Sequence, residues 1–258
     1  MREFRMLRVS IRRLRLAVVW VICLSYWAIG GTFFILAGLI LRPILSPETA
    51  ADIGQSWLQR AFAGFLRLLD LLGVAQCRYV GFETLMAQDG PLIVAPNHPA
   101  LWDAIFIMGK MGGLTCILKA ALLRNPFLAG GARLAGFIPN EPDHKMVRRA
   151  VNVLKTGRRV LFFPEGTRTR KCKNAINELR GGIALVAKHS QAPVWPIHVQ
   201  TDSDYLSKGW SIWKLPDHPV NICMTVGTPL TFTPAEKPQD FLDRLRAVHL
   251  QALGGTAA

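Results

Sequence analysis

Acidic residues are scarce in this chain: 17 Asp and Glu stand against 31 Lys and Arg in 258 residues, a formal charge of +14, while half of the residues are apolar. That combination points to a membrane-associated protein facing anionic lipid or an anionic substrate, more than to a freely soluble nucleic-acid binder. Cysteine is sparse too. Cys23, Cys77, Cys116, Cys172 and Cys223 are scattered, odd in number, and form no C-x-x-C pair or Cys/His cluster. Neither a disulfide framework nor a zinc site is supported, and a reducing compartment is favoured. Internal repeats and low-complexity tracts are also lacking. The length suffices for one large domain with an appendage.

Charge is missing altogether from Leu16 to Leu41, directly after a segment carrying Arg2, Arg5, Arg8, Arg12, Arg13 and Arg15 against the single acid Glu3. The run is too long for the apolar part of a signal peptide and has no small-residue cleavage pattern, which indicates a retained anchor. As a straight helix it measures about 39 Å, enough to cross a hydrocarbon core of about 30 Å with tilt. Basic residues ahead of it place the N-terminus in the cytoplasm. The next hydrophobic stretch, residues 57–74, contains Arg60, Arg67 and Asp70 and is a poor return span, with its apolar residues on one helical face. Gly30-Gly31 offers a break at which the run could dip into one leaflet and return. The residues leave spanning and dipping both open.

From Cys77 onward, short apolar runs alternate with amphipathic segments. Residues 92–96, 115–119, 137–139, 159–164, 194–199 and 221–227 read as strands. Residues 143–157, with Gly157 as a stop, and 178–190 read as helices. Continuously apolar strands alternating with helices predict an α/β fold: a mostly parallel sheet flanked by helices, with an N-terminal hydrophobic helical membrane anchor. The expected organisation is a basic segment 1–15, an anchor 16–74, an α/β domain 75–253 and a disordered tail 254–258.

In such folds reactive groups collect where strands end and loops lead into helices. Two motifs occupy that position. In "NHPALWD", residues 97–103, Pro99 suits the first position of a helix, with His98 at its cap and Asp103 inside the second turn. The two side chains meet only if His98 lies outside the helix and folds back. A carboxylate on one imidazole nitrogen then leaves the other free as a general base. In "FFPEGTRTR", residues 162–170, a strand ends at Pro164. Glu165, Gly166, Thr167 and Arg168 follow as a tight turn that can approach a ligand, with Arg168, Arg170, Lys171 and Lys173 as donors for phosphate oxygens.

Together, in order and spacing, these blocks resemble the glycerolipid acyltransferase family typified by 1-acylglycerol-3-phosphate acyltransferases, over roughly residues 77–228. The resemblance implies that His98 deprotonates an acceptor hydroxyl, Asp103 orients His98, and the hydroxyl attacks an acyl thioester directly. It implies acceptor binding at Glu165, Gly166, Thr167 and Arg168. Lys119 matches the lysine of the second block, Arg180 stands where the family often has lysine, and "APVWPIHV" matches the fourth block. One departure concerns the acceptor: after "GFIP" the family usually has an arginine for phosphate, and here the chain reads Asn140-Glu141-Pro142.

The implied activity is transfer of an acyl chain from a CoA or acyl-carrier-protein thioester to a lysolipid such as 1-acylglycerol-3-phosphate, with no further cofactor, no metal and no nucleic acid. A cytoplasmic donor places the α/β domain on the cytoplasmic face of the inner membrane and favours a dipping anchor. Asn140-Glu141 leaves room for a non-phosphate acceptor such as a lyso-aminolipid. A membrane-tethered basic lipid-binding protein without chemistry accounts for charge and anchor, though not for both motifs.

Overall fold

The computed structural model describes residues 2–141, 144–170, 176–211, 214, 216 and 219–254, with side chains from residue 14 onward. Pro142, Lys171, Lys173, the tail 255–258 and the side chains of Arg2–Arg13 therefore lie outside the described residues.

Among the described residues, seven strands form one sheet: β1 (Ala75–Val80), β2 (Ile93–Pro96), β3 (Leu114–Lys119), β4 (Ile138–Asn140), β5 (Arg159–Leu161), β6 (Val194–Thr201) and β7 (Val220–Val226), in the order β1-β7-β6-β2-β5-β3-β4. Neighbours are parallel except β6 and β7. The central strand β2 is buried at every residue. Its side chains alternate between layers, as a strand's must. Val94 packs into a core with Phe65, Leu69, Phe106 and Ile107, while Ile93 and Ala95 pack into a second core with Ala150, Ile183, Phe241 and Leu245. The first core is covered by α2 (Pro47–Leu71) and α4 (Asp103–Lys110), the second by α6 (His144–Lys155), α7 (Gly182–Ser190) and α8 (Pro238–Leu253). The remaining helices are α1 (Arg2–Leu41), the short α3 (Phe82–Met86) and α5 (Pro126–Leu134), which follows a 3-10 turn at Ala120–Arg124.

The parallel sheet and flanking helices agree with the sequence; β1 was not expected, and three further details differ. First, the break at Gly30-Gly31 does not occur, and α1 is continuous from Arg2 to Leu41. Gly31 lies where α1 meets α5, whereas a Cβ on Gly30 would have nothing within 4 Å. A Cβ on Gly31 would sit 2.8 Å from Phe127 Cδ1 of α5, and one on Gly130 of α5 would sit 2.7 Å from the Ile35 backbone nitrogen. Second, the helix expected from Pro99 begins at Asp103. Asp103 Oδ2 accepts from the Ala100 N–H at 2.8 Å, which holds residues 100–103 in a turn ahead of the helix. Third, β5 ends at Leu161, yet the Phe162 N–H still donates to the Val94 carbonyl, so extended backbone continues toward the turn at Pro164.

α1 runs antiparallel along α2. Arg15 Nη2 donates to the Leu72 carbonyl, Tyr26 Oη donates to the Ala61 carbonyl at 2.6 Å, and the Phe33 ring lies 5.3 Å from that of Trp57. Leu14–Leu41 is the stretch, among the described residues, long and apolar enough to cross a membrane by length and composition. Its outer face leaves Val21, Ile29, Phe33, Leu36 and Leu39 exposed.

Candidate active site

The C-terminal ends of β2, β3, β4, β5 and β6 lie on one edge of the sheet, and both sequence motifs open there. Asn97 continues β2 by clasping β6: its Nδ2 donates to the Val199 carbonyl at 3.0 Å and its Oδ1 accepts from the Val199 N–H at 2.7 Å. The chain then turns, and His98 Nδ1 meets Asp103 Oδ2 at 2.8 Å. His98 lies outside the helix and reaches Asp103 from there, the geometry that the five-residue spacing demanded. Asp103 is 1% exposed, and burial raises its carboxyl above the ordinary range, opposed by the His98 contact and the Ala100 N–H. The imidazole also faces the Phe163 ring at 4.2 Å and stays partly exposed. With Nδ1 committed to a buried carboxylate, Nε2 is the nitrogen left to exchange a proton.

Glu165, in the turn beyond β5, is 1% exposed. Its Oε1 accepts from the His98 N–H at 2.9 Å and from Thr169 Oγ1 at 2.7 Å, and its Oε2 accepts from the Asn177 N–H at 2.9 Å. Burial raises this carboxyl as well, against the pull of the Thr169 hydroxyl and the Asn177 and His98 N–H groups. Gly166 adopts φ 65°, so the turn favours glycine there. Thr167 is half-buried beside it. Arg168 Nη1 donates at 2.9 Å to the carbonyls of both Leu206 and Ser207, binding the loop after β6 to the turn, and the Leu101 N–H donates to the same Leu206 carbonyl. Leu206 has φ 59°, a strained value for leucine, in the segment that Arg168 holds.

Lys119 is exposed at the end of β3, in register with Asn140 at the end of β4. Arg180, also exposed, backs the turn: its N–H donates to the Pro164 carbonyl at 2.7 Å and its Cγ lies 3.3 Å from where a Cβ on Gly166 would be. Sequence reasoning did not single out Asn97, Phe163, Thr169 or Asn177. Asn97, Phe163 and Thr169 stand inside the quoted motifs, where position next to a reactive group was the available signal. Asn177 carried none.

An apolar cavity of ≈ 350 Å³ is lined by Leu101 and Trp102 of the turn ahead of α4, by Ile105 of α4, Phe34 of α1, Phe62 of α2 and Phe127 of α5 among others, and by no charged residue. Trp102 and Asp103 are consecutive, so the cavity wall and the His98–Asp103 pair share one backbone.

Residues 77–200 match the family model described as Acyltransferase. Among proteins similar to it is the 1-acyl-sn-glycerol-3-phosphate acyltransferase of Pseudomonas aeruginosa, 28% identical over 167 residues that cover 60% of this chain and 57% of the relative. The Saccharomyces cerevisiae protein of the same name is 26% identical over 189 residues, covering 69% and 61%. The matches thus span less than two thirds of these relatives. The crystal structure of the 1-acyl-sn-glycerophosphate (LPA) acyltransferase PlsC from Thermotoga maritima superimposes with a TM-score of 0.71 over 98% of both chains at 20% identity, a likeness of fold.

Proposed function

We propose that the chain is a membrane-bound O-acyltransferase that moves an acyl chain from a CoA or acyl-carrier-protein thioester to the hydroxyl of a lysolipid. The observation that carries this reading is the 2.8 Å His98–Asp103 contact, with Trp102, the residue before Asp103, in the wall of an uncharged apolar cavity. His98 Nε2 takes the acceptor hydroxyl's proton as the oxygen attacks the thioester carbonyl, and Asp103 stabilises the imidazolium. The tetrahedral intermediate collapses with departure of the thiolate, which recovers the proton from His98. Ester and free thiol are the products, and no acyl-enzyme, metal or additional cofactor takes part. The cavity holds the acyl chain.

The acceptor named by the relatives is 1-acylglycerol-3-phosphate, and Lys119, Arg168, Arg170 and Arg180 supply the cations such a headgroup needs. A lyso-aminolipid is the second reading, favoured by Asn140 and Glu141 beside Lys119, where an acid meets an amine better than a phosphate. A non-catalytic lipid-binding protein would leave the histidine's buried carboxylate without a use.

The exposed apolar face of α1 meets lipid, and the α/β domain lies on the cytoplasmic face of the inner membrane, where thioester donors are made. Purified protein in vesicles, offered each thioester with 1-acylglycerol-3-phosphate, lyso-aminolipids and other lysolipids, tests the proposal. Ester formation with one lysolipid class is expected, and no ester with any pair would refute it.

A further inference from the structure

The turn at 165–169 does something for His98 that the pairing with Asp103 does not. The ring is fixed by Asp103 and by Phe163, but a ring is only as well placed as the peptide carrying it. That peptide is held on both sides by the second motif. The His98 N–H donates to Glu165 Oε1 at 2.9 Å and, more weakly, to Thr169 Oγ1 at 3.3 Å, while the His98 carbonyl accepts from the Thr169 N–H at 2.7 Å. The Thr169 hydroxyl in turn donates to Glu165 Oε1 at 2.7 Å, and Thr169 is 7% exposed. Glu165 Oε2 is occupied by the Asn177 N–H. Glu165 thus has both oxygens engaged within the protein, and Thr169 has its hydroxyl and its backbone N–H engaged.

We propose that Thr169 and Glu165 are positioning residues that bracket the His98 backbone, so that Thr169 sets the rate of proton transfer and not the affinity for either substrate. The inference rests on the reading of His98 as the general base. The hydroxyl of Thr169 is the keystone because it accepts from His98 and donates to Glu165 at once. Its loss leaves a buried carboxylate oxygen short of a donor and lets the His98 peptide shift. Misplacement of a reacting group by an ångström costs on the order of a hundredfold in rate.

The test compares Thr169→Val, Thr169→Ser and wild type as full-length protein in vesicles, with initial rates varied in donor and in acceptor. In parallel, proton NMR of the same samples follows the downfield signal of the His98 Nδ1–H shared with Asp103, assigned by its loss in Asp103→Asn. Thr169→Val is expected to lower kcat by tenfold to a hundredfold with both KM values within about twofold of wild type. Thr169→Ser, which keeps the hydroxyl, should restore kcat, and the downfield signal should broaden or vanish in the valine variant alone. A raised acceptor KM at unchanged kcat would make Thr169 a substrate contact and overturn the proposal, as would an unchanged signal in the valine variant. If the valine protein does not fold, Thr169→Ala replaces it under the same criteria. If wild type turns over no thioester, the acyltransferase reading fails, and the signal still decides whether the bracket exists.

Discussion

At the scale of single residues, the buried Asp103 carboxylate holds the His98 ring nitrogen Nδ1, and the buried Glu165 carboxylate holds the His98 backbone N–H. His98, Asp103, Glu165 and Arg168 gather beyond the ends of β2 and β5, and side chains of similar type are engaged differently there. Chemistry visible in a sequence gives a residue type, whereas its role depends on what has already claimed its polar atoms. His198 shows the same point: it is as polar as His98, yet it is buried against His249 with their Nδ1 atoms 3.2 Å apart, and burial lowers the pKa of both. Arg168 reaches the loop after β6 through two carbonyls, and charged donors to such acceptors contribute about 1.5–3 kcal/mol. Arg168→Ala should therefore speed amide hydrogen exchange across residues 203–210 by tenfold or more, with a rise in acceptor KM as that loop loosens. Unchanged exchange in that segment would contradict the latch.

At the scale of elements, strand positions were legible because continuous apolar runs between polar breaks mark strands buried on both faces. β1 was not, since its outward residues Gln76 and Arg78 dilute the pattern. The glycine pair in α1 misled for a physical reason: glycine weakens a helix, but it also admits a neighbour, and sequence does not say which use applies. The structure distinguishes two glycines one residue apart. Nothing lies within 4 Å of a Cβ on Gly30, whereas Gly31 abuts Phe127 and Gly130 abuts the backbone of Ile35. Gly30→Ala should raise stability by roughly 0.5–1 kcal/mol through helix propensity. Gly130→Val should cost about 1–3 kcal/mol, because backbone cannot yield as a side-chain tip can. Thermal unfolding in detergent reads both, and a destabilising Gly30→Ala would restore the case for a break.

At the scale of the whole molecule, α1 is laid along α2, and α2 buries Phe65 and Leu69 in the domain core. On the proposed reading, α1 lies shallow in the bilayer because its partner α2 belongs to the domain, and the domain stays on the cytoplasmic side. Glu48→Cys and Asp89→Cys, both at exposed positions, should stay unlabelled by a membrane-impermeant maleimide in intact cells and label in inverted vesicles. Labelling from outside would instead require a true crossing and a donor other than a cytoplasmic thioester. The proposed chemistry rests on a proton passing from the acceptor hydroxyl to His98. Its most direct test is the rate of ester formation from a radiolabelled acyl thioester and the preferred lysolipid by folded His98→Ala protein. The account predicts a loss of at least 10² to 10⁴-fold with the thermal unfolding profile intact, and turnover within a few fold of wild type would contradict it.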